Sequence, residues 1–179
     1  MREQHRQLVN SMFIINCKNY NEISGEKINK LATVAEKISK KHKIQIALAP
    51  PNHQLASIKR SKLLVFAQHL DDAKVGSTTG YMIPEIVKKS KVNGALINHS
   101  EHRISSKEIT NLVKRLKKLK MKTVVCVKNV REAEKYAKLN PTYIAIEPPE
   151  LIGTGRAISN ERPAPVSYTH LTLPTNREV

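Results

Sequence analysis

The sequence predicts an α/β protein of the (β/α)8-barrel class, incomplete, with about six of the eight βα units present. Three observations carry that prediction. Apolar runs of strand length alternate with amphipathic helical stretches. The runs are near-continuous in Ile, Val, Leu and Ala, as a parallel sheet covered on both faces requires. Polar, chemically competent residues follow several different runs directly, which is how the catalytic end of a barrel is built.

The runs, in order, are Phe13–Cys17, Ile44–Ala49, Leu63–Ala67, Gly94–Ile97, Thr123–Val127 and Tyr143–Ile146. Between them, helical patterns cover Ser24–Lys41, His53–Arg60, Pro84–Ser90, Ser106–Lys120 and Val130–Leu139. Ser105 with Glu108 has the spacing of a capping box, and Asn129 with Glu132 resembles one in which Asn replaces Ser or Thr. Pro84 suits a first helical turn, where its missing N–H has no partner to lose. Strand starts recur roughly 20–30 residues apart, comparable with the units of a barrel. An open doubly wound sheet is the alternative, but no Gly-rich fingerprint follows the first run, where Asn16-Cys17-Lys18 stands instead. The chain after Gly155 is too short for two further βα units.

With 179 residues, 40% hydrophobic and 26% charged, the chain is long enough for one domain with a core. No apolar run approaches the ~20 residues needed to span a bilayer, and Leu8–Cys17 makes a poor signal peptide, so a cytoplasmic location and no membrane partner are expected. Cys17 and Cys126 each sit inside an apolar run and lack metal-ligand spacing, so they read as buried thiols. The net charge of +16 raises nucleic-acid binding. Its distribution argues against it: Lys107, Lys114, Arg115, Lys117, Lys118, Lys120 and Lys122 interleave with Ile109, Leu112, Val113, Leu116 and Leu119. That is the solvated face of an amphipathic helix, and 4% aromatics leave few platforms for bases. No nucleic-acid partner is expected; a cationic surface suits anionic metabolites.

Three strand ends carry chemistry. Asn16 and Lys18 after the first run place a cation where it holds an anionic substrate. His99, in Asn98-His99-Ser100-Glu101-His102-Arg103, directly follows a buried run. Backbone N–H groups of an adjoining turn would disfavour its imidazolium and leave a neutral donor to a carbonyl. His102 reads as structural, with Glu101 and Arg103 as a supporting ion pair. Glu147 ends the sixth run, where burial that raises its pKa makes a base able to take a proton from carbon. Pro148-Pro149 and Gly153-Thr154-Gly155 have the composition of a hinged lid. Together these parts suit moving a proton between adjacent carbons of a phosphorylated hydroxy-carbonyl compound through an enediolate.

At this point the sequence resembles the triosephosphate isomerases, in particular those of archaeal type. The motifs are Ile15-Asn16-Cys17-Lys18-Asn19-Tyr20, Ala49-Pro50-Pro51, Ala67-Gln68-His69-Leu70-Asp71, Gly76-Ser77-Thr78-Thr79-Gly80, Asn98–Arg103 and Glu147–Gly155. The resemblance implies interconversion of dihydroxyacetone phosphate and D-glyceraldehyde 3-phosphate, in glycolysis and gluconeogenesis, without cofactor or metal. It gives catalytic roles to His99 as neutral electrophile and Glu147 as base, a pairing that is itself a general illustration of tuned acid–base chemistry. Asn16, Lys18, Ile152 and Gly153 become substrate-binding residues, and the implied assembly is a homo-oligomer, dimer or tetramer. The alternatives are another phosphate-sugar barrel isomerase, such as one acting on a pentulose phosphate, or a non-catalytic basic binding protein.

The pattern covers residues 12–158, after an upstream extension at 1–11. Counterparts of the seventh and eighth strands, with their Gly-rich loops, are missing. Residues 159–165 form a junction of uncertain origin, and 166–179 read as a non-native tail, with a natural linker or swapped element as the competing account. A chain lacking two strands is expected to leave open sheet edges and little activity.

Overall fold

The computed structural model describes residues 12–58 and 62–147. They belong to two compact units, one running to Ala95 and the other beginning at Leu96. The strands are β1 (Met12–Asn16), β2 (Gln45–Ala49), β3 (Leu64–Ala67), β4 (Gly94–Ile97), β5 (Lys122–Val127) and β6 (Tyr143–Ile146). Their order follows the chain, and β1–β2, β2–β3, β3–β4 and β5–β6 all pair in parallel. This is the expected fold class: successive parallel βα units, six strands among the described residues.

In the first unit, α1 (Lys27–His42) turns Ile28, Ala32 and Ala35 inward. That spacing makes one helical stripe, and its small residues let the helix approach Ile46 and Leu48 of β2 closely, with Cys17 and Leu63 completing the cluster. The helix starts later than the apolar pattern suggests. Asn21–Ile23 form a 3-10 turn and Gly25 takes a left-handed φ of 64°, so the α-helical hydrogen-bond series cannot begin at Ser24. The stretch expected as a second helix is instead a 3-10 turn at Asn52–Ser57, too short a run to support an α-helix; residues 59–61 lie outside the described part.

The long connection from β3 to α2 (Pro84–Lys89) is closed at its base. Asp71 and Met82 exchange hydrogen bonds: Asp71 N–H donates to the Met82 carbonyl at 3.0 Å, and Met82 N–H donates to Asp71 Oδ2 at 2.6 Å. The other carboxylate oxygen meets His69 Nε2 at 3.2 Å. Between these anchors residues 74–81 are exposed and carry Gly76 and Gly80, both at positive φ. Asn93 leads into β4: its N–H donates to the Val65 carbonyl and its Oδ1 accepts from Val65 N–H, both at 2.8 Å.

In the second unit α3 (Ser106–Lys118) buries Ile109, Leu112, Val113 and Leu116, while Lys107, Lys114, Lys117 and Lys118 are exposed. The basic run is therefore the solvated face that the sequence indicated. The Ser105–Glu108 capping box is present in both directions. At α4 (Val130–Ala137) Asn129 Oδ1 accepts from Glu132 N–H, but the Glu132 carboxylate returns to Lys128 N–H rather than to the cap residue. Both cysteines are buried and unbridged.

α3 ends with Lys120 left-handed at φ 54°, and Met121 N–H reaches back to the Leu116 carbonyl at 2.9 Å. α1 ends likewise, with Lys43 at φ 53° and Ile44 N–H bonded to the Ser39 carbonyl. Both are Schellman closures built on lysine where glycine is usual.

Candidate active site

The sequence-selected residues fall into two pairs, one in each unit. In the first unit Asn16 ends β1 and its Oδ1 accepts the Lys18 N–H at 3.0 Å. Lys18 takes a left-handed φ of 47°. Its carbonyl accepts Gln68 Nε2 at 3.0 Å, and the same amide donates to the Ala49 carbonyl at 3.0 Å. Gln68 is held in turn, since its N–H donates to Asn52 Oδ1 at 2.9 Å while Asn52 Nδ2 donates to the His69 carbonyl. The strained turn at Lys18 thus rests on side-chain amides from the ends of β1, β2 and β3.

In the second unit the structure brings His99 and Glu147 together. His99 Nε2 lies 2.9 Å from Glu147 Oε1, with the two side chains 14% and 21% exposed. Glu147 Oε2 accepts the Ser100 N–H at 3.0 Å, and Glu147 N–H donates to the Val127 carbonyl at 2.7 Å, extending the β5–β6 ladder by one bond. On the far side of the ring, His99 Nδ1 accepts the Glu101 N–H at 3.2 Å. A nitrogen accepting a backbone N–H holds no proton, so this hydrogen bond fits the Nε2–H tautomer, with Glu101 Oε2 3.6 Å from the same Nδ1. The donors come from a tight turn closed by His102 N–H to the His99 carbonyl, not from a helix; α3 begins only at Ser106.

Burial works to raise the Glu147 carboxyl, while the hydrogen bond from His99, the Ser100 N–H and the Arg103 charge work to lower it. The net effect holds Glu147 below the usual carboxylate range, the reverse of what burial alone leads one to expect. Burial pushes the adjacent Cys126 thiol up, and the Glu147 carboxylate adds to that. Burial also pushes the Cys17 thiol up, to about 11. Neither thiol is a ready nucleophile. Arg103 donates to the Asn98 carbonyl at 2.8 Å and the Cys126 carbonyl at 3.2 Å, so its guanidinium braces main chain where an ion pair with Glu101 was expected.

Ile152 and Gly153, with the rest of the Pro/Gly loop after Glu147, lie outside the described residues. Sequence reasoning assigned no role to Gln68, Asn98 or Ser100. Asn98 carried one available signal: an asparagine between a strand and a functional residue favours the left-handed turn found there, at φ 62°. Among the described residues no group of three or more His, Cys, Asp or Glu side chains is gathered to hold a metal ion.

This arrangement is found in a chain whose residues 11–170 match the sequence profile described as triosephosphate isomerase. The chain is 55% identical over 152 residues to a triosephosphate isomerase of Cenarchaeum symbiosum, covering 85% of this chain and 68% of that one. It is 40% identical over 159 residues to one of Methanocaldococcus jannaschii, covering 88% and 73%. A crystal structure of triosephosphate isomerase from Bartonella henselae superposes with a TM-score of 0.56 at 21% identity, a likeness of fold. That superposition covers 71% of this chain and 55% of the bacterial one, so the chain spans about half of that structure's length.

Proposed function

The chain belongs to the triosephosphate isomerase family, and from that premise we propose that it interconverts dihydroxyacetone phosphate and D-glyceraldehyde 3-phosphate. The observation that carries the reading is the 2.9 Å approach of His99 Nε2 to Glu147 Oε1, with His99 Nδ1 occupied by a backbone N–H. A carboxylate and a neutral imidazole N–H side by side are the two groups that an enediolate route needs. The carboxylate takes a proton from the carbon next to the carbonyl, and the electron pair of that C–H bond moves toward the carbonyl oxygen. The Nε2–H stabilises the charge arriving there. Return of the proton to the neighbouring carbon, with transfer between the two oxygens, completes the exchange of aldehyde and ketone.

The resting contacts bear on how basic Glu147 becomes. His99 and the Ser100 N–H hold the carboxylate ionised and low. A substrate carbonyl that takes over the Nε2–H removes the larger of those hydrogen bonds, and burial is then opposed less. The base strengthens as substrate arrives, which reconciles a low resting pKa with proton abstraction from carbon.

By motif, Asn16 and Lys18 take substrate-binding roles, and Ile152 and Gly153 take positions that meet the substrate phosphate. We further propose a family domain over 12–158, after an extension at 1–11 and before a junction at 159–165 and a tail at 166–179. The family profile begins at residue 11 and runs on to 170. A homo-oligomer, dimer or tetramer, and a cytoplasmic location complete the proposal. Among the described residues no helix is long and apolar enough to cross a membrane.

The test is a coupled assay on the full chain that offers triose phosphate and pentulose phosphate separately. Turnover of the triose phosphate alone is expected. Glu147→Asp withdraws the carboxylate by about 1 Å and should lower kcat on the order of 100-fold. Near-normal turnover in that variant would sink the assignment of the base.

A further inference from the structure

We infer that Asn98 is a positioning residue that sets the tautomer and direction of the His99 ring; the inference rests on the reading of His99 as the electrophile. Asn98 stands between the last residue of β4 and His99, it is 5% exposed, and its φ of 62° turns the chain out of the strand direction. Its side chain is bonded at both ends. Nδ2 donates to the Cys126 carbonyl at 2.9 Å, and Oδ1 accepts the Ile104 N–H at 3.1 Å. Its own carbonyl accepts Arg103 Nη1 at 2.8 Å, and that same nitrogen reaches the Cys126 carbonyl at 3.2 Å. A carbonyl only accepts and an N–H only donates, so the amide fits in one orientation.

The geometry does more than satisfy a buried polar group. The bond to Ile104 ties the two ends of the loop 98–104 to one side chain, and the bond to Cys126 pins that side chain to β5. Everything between the ends is then fixed, including the Glu101 N–H that occupies His99 Nδ1 and the Ser100 N–H on Glu147 Oε2. With Nδ1 occupied, the ring proton stays on Nε2, the nitrogen facing the base. Aspartate cannot replace Asn98, because a carboxylate oxygen would face the Cys126 carbonyl. Glycine accepts the backbone angle and keeps the main-chain carbonyl that Arg103 holds, but leaves the Ile104 N–H without its acceptor and the Cys126 carbonyl without the amide donor. Asn93, at the other end of β4, uses its side chain on Val65 in a comparable way, but no functional residue follows it.

Long-range proton–nitrogen spectra of the 15N-labelled full chain read which ring nitrogen carries the proton. The unsubstituted chain should show His99 as a single Nε2–H form. The Asn98 side-chain protons should exchange at least about tenfold more slowly than those of an exposed asparagine, as buried hydrogen bonds do. In Asn98→Gly, mixed tautomers are expected, with kcat lower by about 10- to 100-fold and KM within about twofold. Asn98→Asp keeps an acceptor for Ile104 but sets a carboxylate oxygen against the Cys126 carbonyl, so mixed tautomers and a loss of kcat of the same kind are expected there too.

A purely structural residue would lower the melting temperature and leave the tautomer of the folded fraction unchanged. A single Nε2–H signal with unchanged kcat in Asn98→Gly overturns the proposal. Should neither variant fold, the unsubstituted chain decides: mixed His99 tautomers or freely exchanging Asn98 protons overturn it equally. Absence of isomerisation in the unsubstituted chain would count against the function, while the tautomer result would still judge Asn98.

Discussion

Residues that take the left-handed backbone region divide by where they stand. Lys43, Lys91, Lys120 and Asn140 lie just past helix ends and are exposed; Lys18 and Asn98 lie just past β1 and β4 and are partly or fully buried. For the lysines the angle costs about 1–2 kcal/mol relative to ordinary backbone, and for the asparagines less. At the helix ends the cost brings a main-chain closure and nothing else, so any residue that tolerates the angle serves. At the strand ends the left-handed turn is tied to side-chain amides and sits on or next to a residue with a chemical role. The strain is common to both regions, so it is the side-chain amide bonds around the strand-end turns that show a side chain to be wanted there.

The same substitution should therefore have opposite signs in the two regions. Asn98→Gly is expected to lower unfolding free energy by about 2 kcal/mol, because the Ile104 N–H loses a buried acceptor. Denaturant unfolding measures it, and a stabilised variant would erase the distinction. Gln68→Ala removes the one amide that serves both the Lys18 and Ala49 carbonyls. It should cost about 1–2 kcal/mol in the same measurement. A cost within error would mean that Lys18 holds its own turn.

Acidity probes the second strand-end site alone. Glu147 has a carboxyl held below its ordinary value of 4.5, so its contribution to stability is complete above that value and disappears as pH falls through the lowered one. Unfolding followed between pH 5 and 2 should show this loss, and Glu147→Gln should flatten it. A steeper acid transition in Glu147→Gln would contradict the hydrogen bonds from His99 and Ser100. The smallest effect belongs to the helix ends: Lys43→Gly and Lys120→Gly should each raise unfolding free energy by about 0.5–1 kcal/mol, the relief of left-handed strain less the entropy of an added glycine. Destabilisation in both would show that the lysine side chains matter there after all.

What the sequence disclosed follows the same division. Strands and amphipathic helices were legible because continuous apolar runs and the Ile109–Leu112–Val113–Leu116 spacing are local patterns. The Ser105 cap was legible because its partner is three residues away. The start of α1 was not, since Gly25 and the Asn21–Ile23 turn decide it and neither disturbs the apolar period. At the sites, His99 and Glu147 stood out by type and place. The residues that hold them did not, because Asn98, Arg103 and Gln68 act on main-chain carbonyls and N–H groups that have no sequence identity to recognise. The low carboxyl of Glu147 was hidden for the same reason, since burial is readable from a pattern and a backbone donor is not.

The exchange of hydrogen bonds between Asp71 and Met82 has a consequence for engineering. It closes the β3–α2 connection beneath residues 74–81, so β3 and α2 do not depend on the exposed arc for their anchorage. Lengthening a closed loop costs only about 0.6 kcal/mol per doubling. The arc between Gly76 and Gly80 is accordingly the natural place to graft foreign sequence: an epitope tag, a fluorophore handle or a small inserted domain would be carried there as cargo.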